Sequence, residues 1–200
     1  MTLPDSIKQL ADKLAELPSI GPRQAIRLVF YFLNQGNGFI GGLAKEVDAL
    51  RKLKFCANCH FVHQNEDELC EICSNPERDQ TTILLVEKET DLLSLENTGK
   101  YHGRYLILGD IPKAGLLENW QKERLESLKT FIKKKLDGQA KEIILGVNPT
   151  SVGDFHASIL NKELVGLTKK ISRLGRGLPT GGEIEFADDE TLGSALERRD

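Results

Sequence analysis

Two pairs of cysteines, Cys56-x2-Cys59 and Cys70-x2-Cys73, constrain the fold of this chain more than any other feature of its sequence. They are its only cysteines, and they lie within one 18-residue window. Each pair can direct two thiolates at one point, and two pairs complete a tetrahedral cage of four sulfurs that suits Zn²⁺. A closed cage leaves no open coordination position. We therefore expect one structural zinc ion per chain that does not activate water.

The same cysteines have two other uses to consider. Two disulfides are possible, but the reducing cytosol disfavours them, and a pair of redox-active motifs does not call for the mirrored spacing. His60 and His63 lie beside the first pair and could compete as ligands. A site of two cysteines and two histidines leaves Cys70 and Cys73 unused, so we interpret both histidines as knuckle or surface residues.

Length, composition and charge set the remaining bounds. Two hundred residues with 40% hydrophobic content suit one large domain or two small ones. No apolar run approaches the roughly 18 residues of a membrane span, and the N-terminus lacks a signal-peptide pattern, so we expect a cytoplasmic protein without a membrane partner. The net charge of -3 argues against coating DNA by bulk positive charge. Nucleic-acid binding must then come from local basic patches.

The apolar pattern changes from helical to mixed along the chain. Before the cysteines, it predicts helices over 5–17 and from Pro22 onward, a glycine-rich break over 34–42, and a further helix from Leu43. After Cys73, strand and helix patterns alternate, which predicts a parallel α/β sheet. The predicted strands are 82–86, 104–108, 142–147 and 167–174, and the predicted helices are 89–97, 116–136 and 153–164.

The turn between the first two helices carries a nucleic-acid motif. The stretch Leu17 to Ala25 resembles the helix-hairpin-helix of DNA-binding proteins, with Ile20 and Gly21 in the turn. Amides at a helix N-terminus can bind a phosphate oxygen without reading the base, and Arg23 and Arg27 would share one helix face. Ser19 departs from the family, which usually has glycine there. An ordinary helical hairpin with two surface arginines is the alternative.

Glu87 stands at the end of the first long strand. An acidic residue at this place, with another after a later strand, resembles the Toprim fold of primases and topoisomerases. Active Toprim enzymes hold Mg²⁺ with one glutamate and an Asp-x-Asp pair. Here Asn148-Pro149-Thr150 occupies the place of that pair. Asp110 and Asp154 could substitute, but nothing in the spacing requires it. We therefore interpret Glu87 as a degenerate Toprim acidic residue and predict no catalytic residues.

The order of these motifs is more specific than any one of them. Hairpin, four-cysteine finger, degenerate Toprim region and the glycine-rich tail Gly177 to Asp188 together resemble the RecR family of bacterial recombination mediators over almost the whole chain. The chain differs from that family around 108–119, where relatives carry a longer segment. It also differs at 152–154, where Val-Gly-Asp replaces the usual Glu-Gly-Glu.

The resemblance implies a multi-part α+β fold with a mostly parallel sheet. The expected regions are a helix-hairpin-helix (1–54), a zinc finger (55–77), a Toprim-like α/β domain (78–175) and a C-terminal loop, strand and helix (176–200). It also implies a non-catalytic DNA clamp, most simply a tetrameric ring, that acts with RecO and RecF to load RecA onto gapped single-stranded DNA at the nucleoid. Two alternatives are a zinc-containing Toprim nuclease or primase, and a zinc-ribbon interaction protein without DNA contact.

Overall fold

The computed structural model of the chain describes residues 2–175 and 177–197 and has two compact units, Met1–Leu53 and Lys54–Asp200. Met1, Arg176 and residues 198–200, which fall within regions predicted from the sequence, lie outside the described residues. The boundaries of the four predicted regions stay a prediction. None of the described helices combines the length and apolar character needed to cross a bilayer.

The first unit is helical, as its periodicity predicts. It contains α1 (Asp5–Ala15), α2 (Pro22–Gln35), α3 (Asn37–Ala49) and a 3-10 turn (Leu50–Lys52). Ala11 of α1 is buried together with Ala25 and Val29 of α2. Because two of these three side chains are a single methyl group, α1 and α2 can approach closely.

The glycine-rich break predicted over 34–42 is wrong, since α3 covers most of that stretch. Gly36 alone interrupts the helices, with a φ of 84° that suits glycine, as it ends α2 and begins α3. Phe39 of α3 packs against two aromatic rings of α2, with ring centroids 5.9 Å from Tyr31 and 5.8 Å from Phe32. This packing offsets the low helix propensity of the three glycines in α3.

The second unit contains a small antiparallel ribbon and a four-stranded parallel sheet. Its strands are β1 (Lys54–Phe55), β2 (Val62–His63), β3 (Asp79–Val86), β4 (Gly103–Ile107), β5 (Glu142–Gly146) and β6 (Ile171–Arg173). Its helices are α4 (Glu71–Ser74), α5 (Glu89–Glu96), α6 (Asn119–Lys135), α7 (Ser151–Leu164) and α8 (Asp189–Glu197). The order β4-β3-β5-β6, with every pair parallel, confirms the α/β sheet expected after Cys73.

The two faces of the sheet pack against different partners. Alternate residues of a strand point to opposite faces, so Ile83 and Leu85 lie on one side of β3 and Leu84 and Val86 on the other. The first pair packs in a cluster with residues of α6 and α7. The second pair packs with Leu92 of α5 and with the buried cysteines. The cysteine finger is therefore one of the layers that bury the sheet.

The tail differs from its predicted form. A short strand was expected after the glycine-rich loop, but the described part of the tail has a 3-10 turn at Ile184–Phe186, followed by α8. Asp188 caps α8, because its side chain accepts a hydrogen bond from the amide of Thr191 at 2.8 Å. Phe186 is 81% exposed. The apolar residues of this turn therefore do not supply the core contacts that would favour a strand.

Candidate metal centre and nucleic-acid interface

The four cysteine sulfurs form one cluster. All four lie within 4.8 Å of one another, and Sγ of Cys59 is 3.5 Å from Sγ of Cys70. Cys56, Cys59 and Cys70 are buried, and Cys73 is partly buried. A sulfur–sulfur bond is about 2.05 Å long, and all four thiols are free. This arrangement could hold a metal ion.

Local backbone hydrogen bonds shape both halves of the cluster. In the first knuckle, the His60 amide donates to the Cys56 carbonyl at 3.0 Å, and the Cys56 amide donates to the Phe61 carbonyl at 2.8 Å. His60 takes a positive φ of 64°, which turns the chain back toward the cluster. In the second knuckle, the Ser74 amide donates to the Cys70 carbonyl at 2.9 Å. Each C-x-x-C pair thus presents both sulfurs to one point.

The thiols cannot all ionise without a cation. Their mutual hydrogen bonds lower the pKa of the Cys56 thiol and raise the pKa of the Cys59 thiol, because Cys59 must keep its proton to donate it to a Cys56 thiolate. Burial raises the pKa of Cys59 further. A bound divalent cation removes this conflict by pairing with several thiolates at once.

The two neighbouring histidines stand outside the sulfur cluster. Nδ1 of His63 accepts a hydrogen bond from the Asn65 amide at 3.2 Å. Nε2 of both His60 and His63 is buried and has no hydrogen-bond partner within residues 2–175 and 177–197. Among the described residues, the group that could hold a metal ion contains the four cysteines and neither histidine.

Glu87 lies at the carboxyl end of β3, beside the start of α7. Glu87 is buried, with 5% of the residue exposed, and its Oε2 accepts hydrogen bonds from the side-chain and backbone nitrogens of Asn148 at 2.8 and 3.3 Å. Oε1 lies 3.2 Å from Nδ1 of His156. The other ring nitrogen of His156 is 3.1 Å from the carbonyl of Pro112. Glu87 is therefore held by Asn148 and His156 where an active Toprim site has further carboxylates.

The two acidic residues that could have replaced the missing pair have cationic partners of their own. Asp110 lies 3.3 Å from Nζ of Lys88, and Asp154 lies 2.5 Å from Nη1 of Arg173. Thr150, which stands where the Toprim pair has its second aspartate, caps α7 by accepting a hydrogen bond from the Gly153 amide at 3.1 Å. The described residues thus place no cluster of three acidic groups at this edge.

The hairpin predicted to contact DNA is present in the first unit. Gly21 provides no side-chain cap for α2, and Pro22 begins the helix, so the first turn keeps free backbone amides. Arg23 and Arg27 are exposed, one turn apart on α2. Neither takes part in an ion pair among the residues that the structure describes. Ile20 packs against the small core of this unit.

The backbone conformation of Ser19 shows why the helix-hairpin-helix family prefers glycine at this position of the turn. Its φ is 64°, in the left-handed region, where a side chain strains the backbone and glycine does not. The Ile20 amide still reaches the Leu17 carbonyl at 3.2 Å, so the tight turn forms. The serine leaves the geometry of the turn in place and adds backbone strain.

These features define a class, a Toprim protein that lacks the acidic pair and carries a four-cysteine finger. The family model for the Toprim domain matches residues 81–175, and the family model for the RecR C-terminal region matches residues 177–199. Recombination protein RecR of Chloroflexus aggregans is 40% identical over 195 residues, which cover 96% of this chain and 92% of that protein. Its namesake from Roseiflexus castenholzii is 37% identical over 201 residues, 98% and 94% of the two chains. The chain belongs to the RecR family of recombination proteins.

His156 is the residue of this site that the sequence did not reveal. It lies 69 residues after Glu87, in a helix whose pattern gives no reason to single it out. The sequence gives one weak indication that His156 is buried, which is its place among the apolar residues Phe155, Ala157 and Leu160. Spacing identifies partners only when they are close along the chain, as the cysteines are.

Proposed function

We propose that this chain is a non-catalytic DNA-binding adaptor in recombinational repair. The observation that carries the proposal is the pair of exposed arginines, Arg23 and Arg27, beside the uncapped start of α2. Guanidinium groups and helix N-terminal amides bind phosphate and do not read bases, so binding is independent of sequence. Membership in a family of recombination proteins agrees with this role.

The cysteine cluster supports a structural role for zinc. Four sulfurs in two C-x-x-C knuckles favour Zn²⁺ over harder ions such as Mg²⁺ and Ca²⁺, which prefer oxygen ligands. The closed cage leaves no position for water, so the ion stabilises the finger and takes no part in a reaction. Cys56, Cys59, Cys70 and Cys73 would each supply one sulfur.

Assembly is the second part of the proposal. A chain of net charge -3 with two arginines in its hairpin binds DNA weakly as a monomer, and several linked copies gain avidity. The first unit buries only Ala11, Ala25 and Val29 among its described hydrophobic residues, while large apolar side chains such as Phe30, Tyr31 and Val47 are exposed. Such a surface favours contact with further copies. A closed tetrameric ring around the strand is the form we propose.

Each of the four predicted regions has its own role in the proposed function. Residues 1–54 contact DNA and share in assembly with residues 176–200, residues 55–77 hold zinc, and residues 78–175 dock RecO. With RecO and RecF, the ring would load RecA onto gapped single-stranded DNA in the cytoplasm, at the nucleoid. The alternative is a zinc-containing Toprim nuclease or primase. It is disfavoured because the side chains of Glu87, Asp110 and Asp154 already have partners within the protein.

A single titration tests the adaptor against the enzyme. Fluorescently labelled single-stranded, duplex and gapped DNA of two unrelated sequences are titrated with the protein in Mg²⁺, and the DNA is then analysed for length. We expect salt-sensitive binding that does not depend on sequence, with DNA of unchanged length. If the DNA is shortened or extended in proportion to the protein added, and if the Glu87→Gln variant no longer causes this change of length, the protein is an enzyme instead.

A further inference from the structure

The carboxyl end of β3 carries a buried acidic group that needs compensation. A buried carboxylate is costly unless it is paired and hydrogen-bonded. In a metal-binding Toprim site a divalent cation and neighbouring carboxylates meet at this point. Here the side chains of Glu87 and His156 are only 7% and 3% exposed, and they face each other at 3.2 Å.

The contacts of His156 place its ring against Glu87. Both ring nitrogens face oxygens, Nδ1 toward Oε1 of Glu87 at 3.2 Å and Nε2 toward the carbonyl of Pro112 at 3.1 Å. The imidazole therefore occupies the approach to Oε1, and the Pro112 carbonyl holds the ring there.

The remaining ligand positions are also taken. Asn148 directs its amide nitrogen at Oε2 of Glu87, and a nitrogen that donates a hydrogen bond cannot ligate a cation. Lys88 and Arg173 neutralise Asp110 and Asp154. Each carboxylate that could serve a metal ion at this edge thus already has a side chain of the protein as its partner.

We infer that side chains of the protein have replaced the divalent metal ion at this edge of the sheet, with His156 as the resident partner of Glu87. The replacement keeps Mg²⁺ and Mn²⁺ out, because a cation would have to displace His156 and would find one carboxylate and no second acidic ligand. It also ties α7 to β3 and to the segment after β4, through Pro112. Unlike a metal site, this arrangement stays intact in chelators of Mg²⁺.

The inference gives a physical reason for the non-catalytic part of the proposed function. The experiment below measures metal binding and not DNA binding. The metal replacement and the proposed DNA-binding function can therefore fail independently. The inference also predicts what restores a metal site: two aspartates in place of Asn148 and Thr150, and removal of the imidazole. Aspartate caps helices as well as threonine does, so Thr150→Asp keeps the cap of α7.

Mn²⁺ binding to zinc-loaded protein tests the inference. Binding is monitored as the loss of the free-ion signal in electron paramagnetic resonance. The parent and the Asn148→Asp/Thr150→Asp variant should bind Mn²⁺ weakly at this edge. Adding His156→Ala to the two aspartates should tighten binding at least tenfold, and Glu87→Gln in that triple variant should abolish the gain. If the triple variant does not fold by circular dichroism, His156→Gln, which keeps a hydrogen-bonding side chain of similar length, replaces the alanine.

Two results would overturn the inference. One is a parent protein that binds one Mn²⁺ in the micromolar range and loses it on Glu87→Gln, because the metal would then not have been replaced. The other is equal Mn²⁺ affinity with and without His156 in the two-aspartate background, because the imidazole would then not be what occupies the site.

Discussion

The carbonyl oxygen of Cys59 accepts a hydrogen bond from the backbone amide of Ile107 at 2.9 Å, which joins the cysteine finger to the edge of the parallel sheet. Ile107 belongs to β4, the outer strand next to β3. Its own carbonyl accepts a hydrogen bond from Nη1 of Arg124 at 3.0 Å. The finger and α6 thus cover an edge that would otherwise expose backbone groups for unwanted pairing.

This contact predicts that metal loss weakens the sheet as well as the finger. Zinc bound by four thiolates contributes its binding free energy to folding. We expect Cys59→Ser to destabilise the second unit by more than about 3 kcal/mol. Hydrogen exchange should show the Ile107 amide losing protection before the amides of β5, which lies between β3 and β6. Full protection of Ile107 in metal-free protein would contradict this coupling.

The Arg78–Glu96 ion pair predicts a specific dependence of stability on pH. Nη1 and Nη2 of Arg78 donate to the two carboxylate oxygens of Glu96 at 2.5 and 3.0 Å. These hydrogen bonds lower the pKa of Glu96 from its ordinary value of 4.5. The folded state therefore favours the ionised carboxylate. The stabilisation is complete above about pH 4.5 and is lost as the pH falls through the lowered pKa of the folded state.

Glu96→Gln should accordingly destabilise the protein by about 1.5 kcal/mol at pH 7, the usual contribution of hydrogen bonds to a charged group. The difference from the parent should shrink below pH 4. Urea unfolding at pH 7 and pH 3 measures it. Glu126→Gln is the control, since that carboxylate pairs with Lys129 while its side chain is 66% exposed. An equal deficit for Glu96→Gln at both pH values would count against the ion pair.

Substitution of Gly109, which lies against the single tryptophan of the chain, can be compared with the same substitution at Gly99. Gly109 has a φ of 91°, and a Cβ there would overlap the ring of Trp120, whereas Gly99 has a φ of 61° and open space around it. Gly99→Ala should cost about 1 kcal/mol for backbone strain alone. Gly109→Ala should cost about 1 to 3 kcal/mol more for overpacking, and should shift the Trp120 fluorescence. Equal costs with unchanged fluorescence would show that Trp120 does not rest on Gly109.

The hairpin turn offers a stabilising substitution. Ser19→Gly removes the strain of a left-handed φ of 64° and should raise the free energy of unfolding of the first unit by about 0.5 to 1 kcal/mol. Ser19→Ala keeps the Cβ and should give no gain. Thermal unfolding of the three proteins side by side checks the difference. If alanine stabilises as much as glycine, the serine hydroxyl and not its backbone conformation is the cause.

Short-range patterns made much of this fold predictable. The cysteine spacing specifies its own cluster, since two-residue gaps fix local geometry, and the apolar runs around Ile83 and Ile143 predict buried parallel strands. The helix predicted from Leu43 begins earlier, at Asn37, and this first part was missed because Phe39 depends on rings from α2, a contact that local propensity does not contain. The partnership of Glu87 with His156 was missed for the same reason, since it joins residues far apart in sequence.

The salt dependence of DNA binding tests the central claim, that the hairpin of the first unit contacts the phosphate backbone. Binding of a labelled single strand is measured by anisotropy from low to moderate salt for the parent, for Arg23→Ala/Arg27→Ala, and for Lys8→Ala/Lys13→Ala. The last variant is a control that removes the same charge from α1, where both lysines pair with neighbouring carboxylates. We predict weaker binding and a slope of log K against log salt that is smaller by about 1 to 2 for the arginine variant alone. Equal affinity and slope for the arginine variant and the parent would contradict the claim.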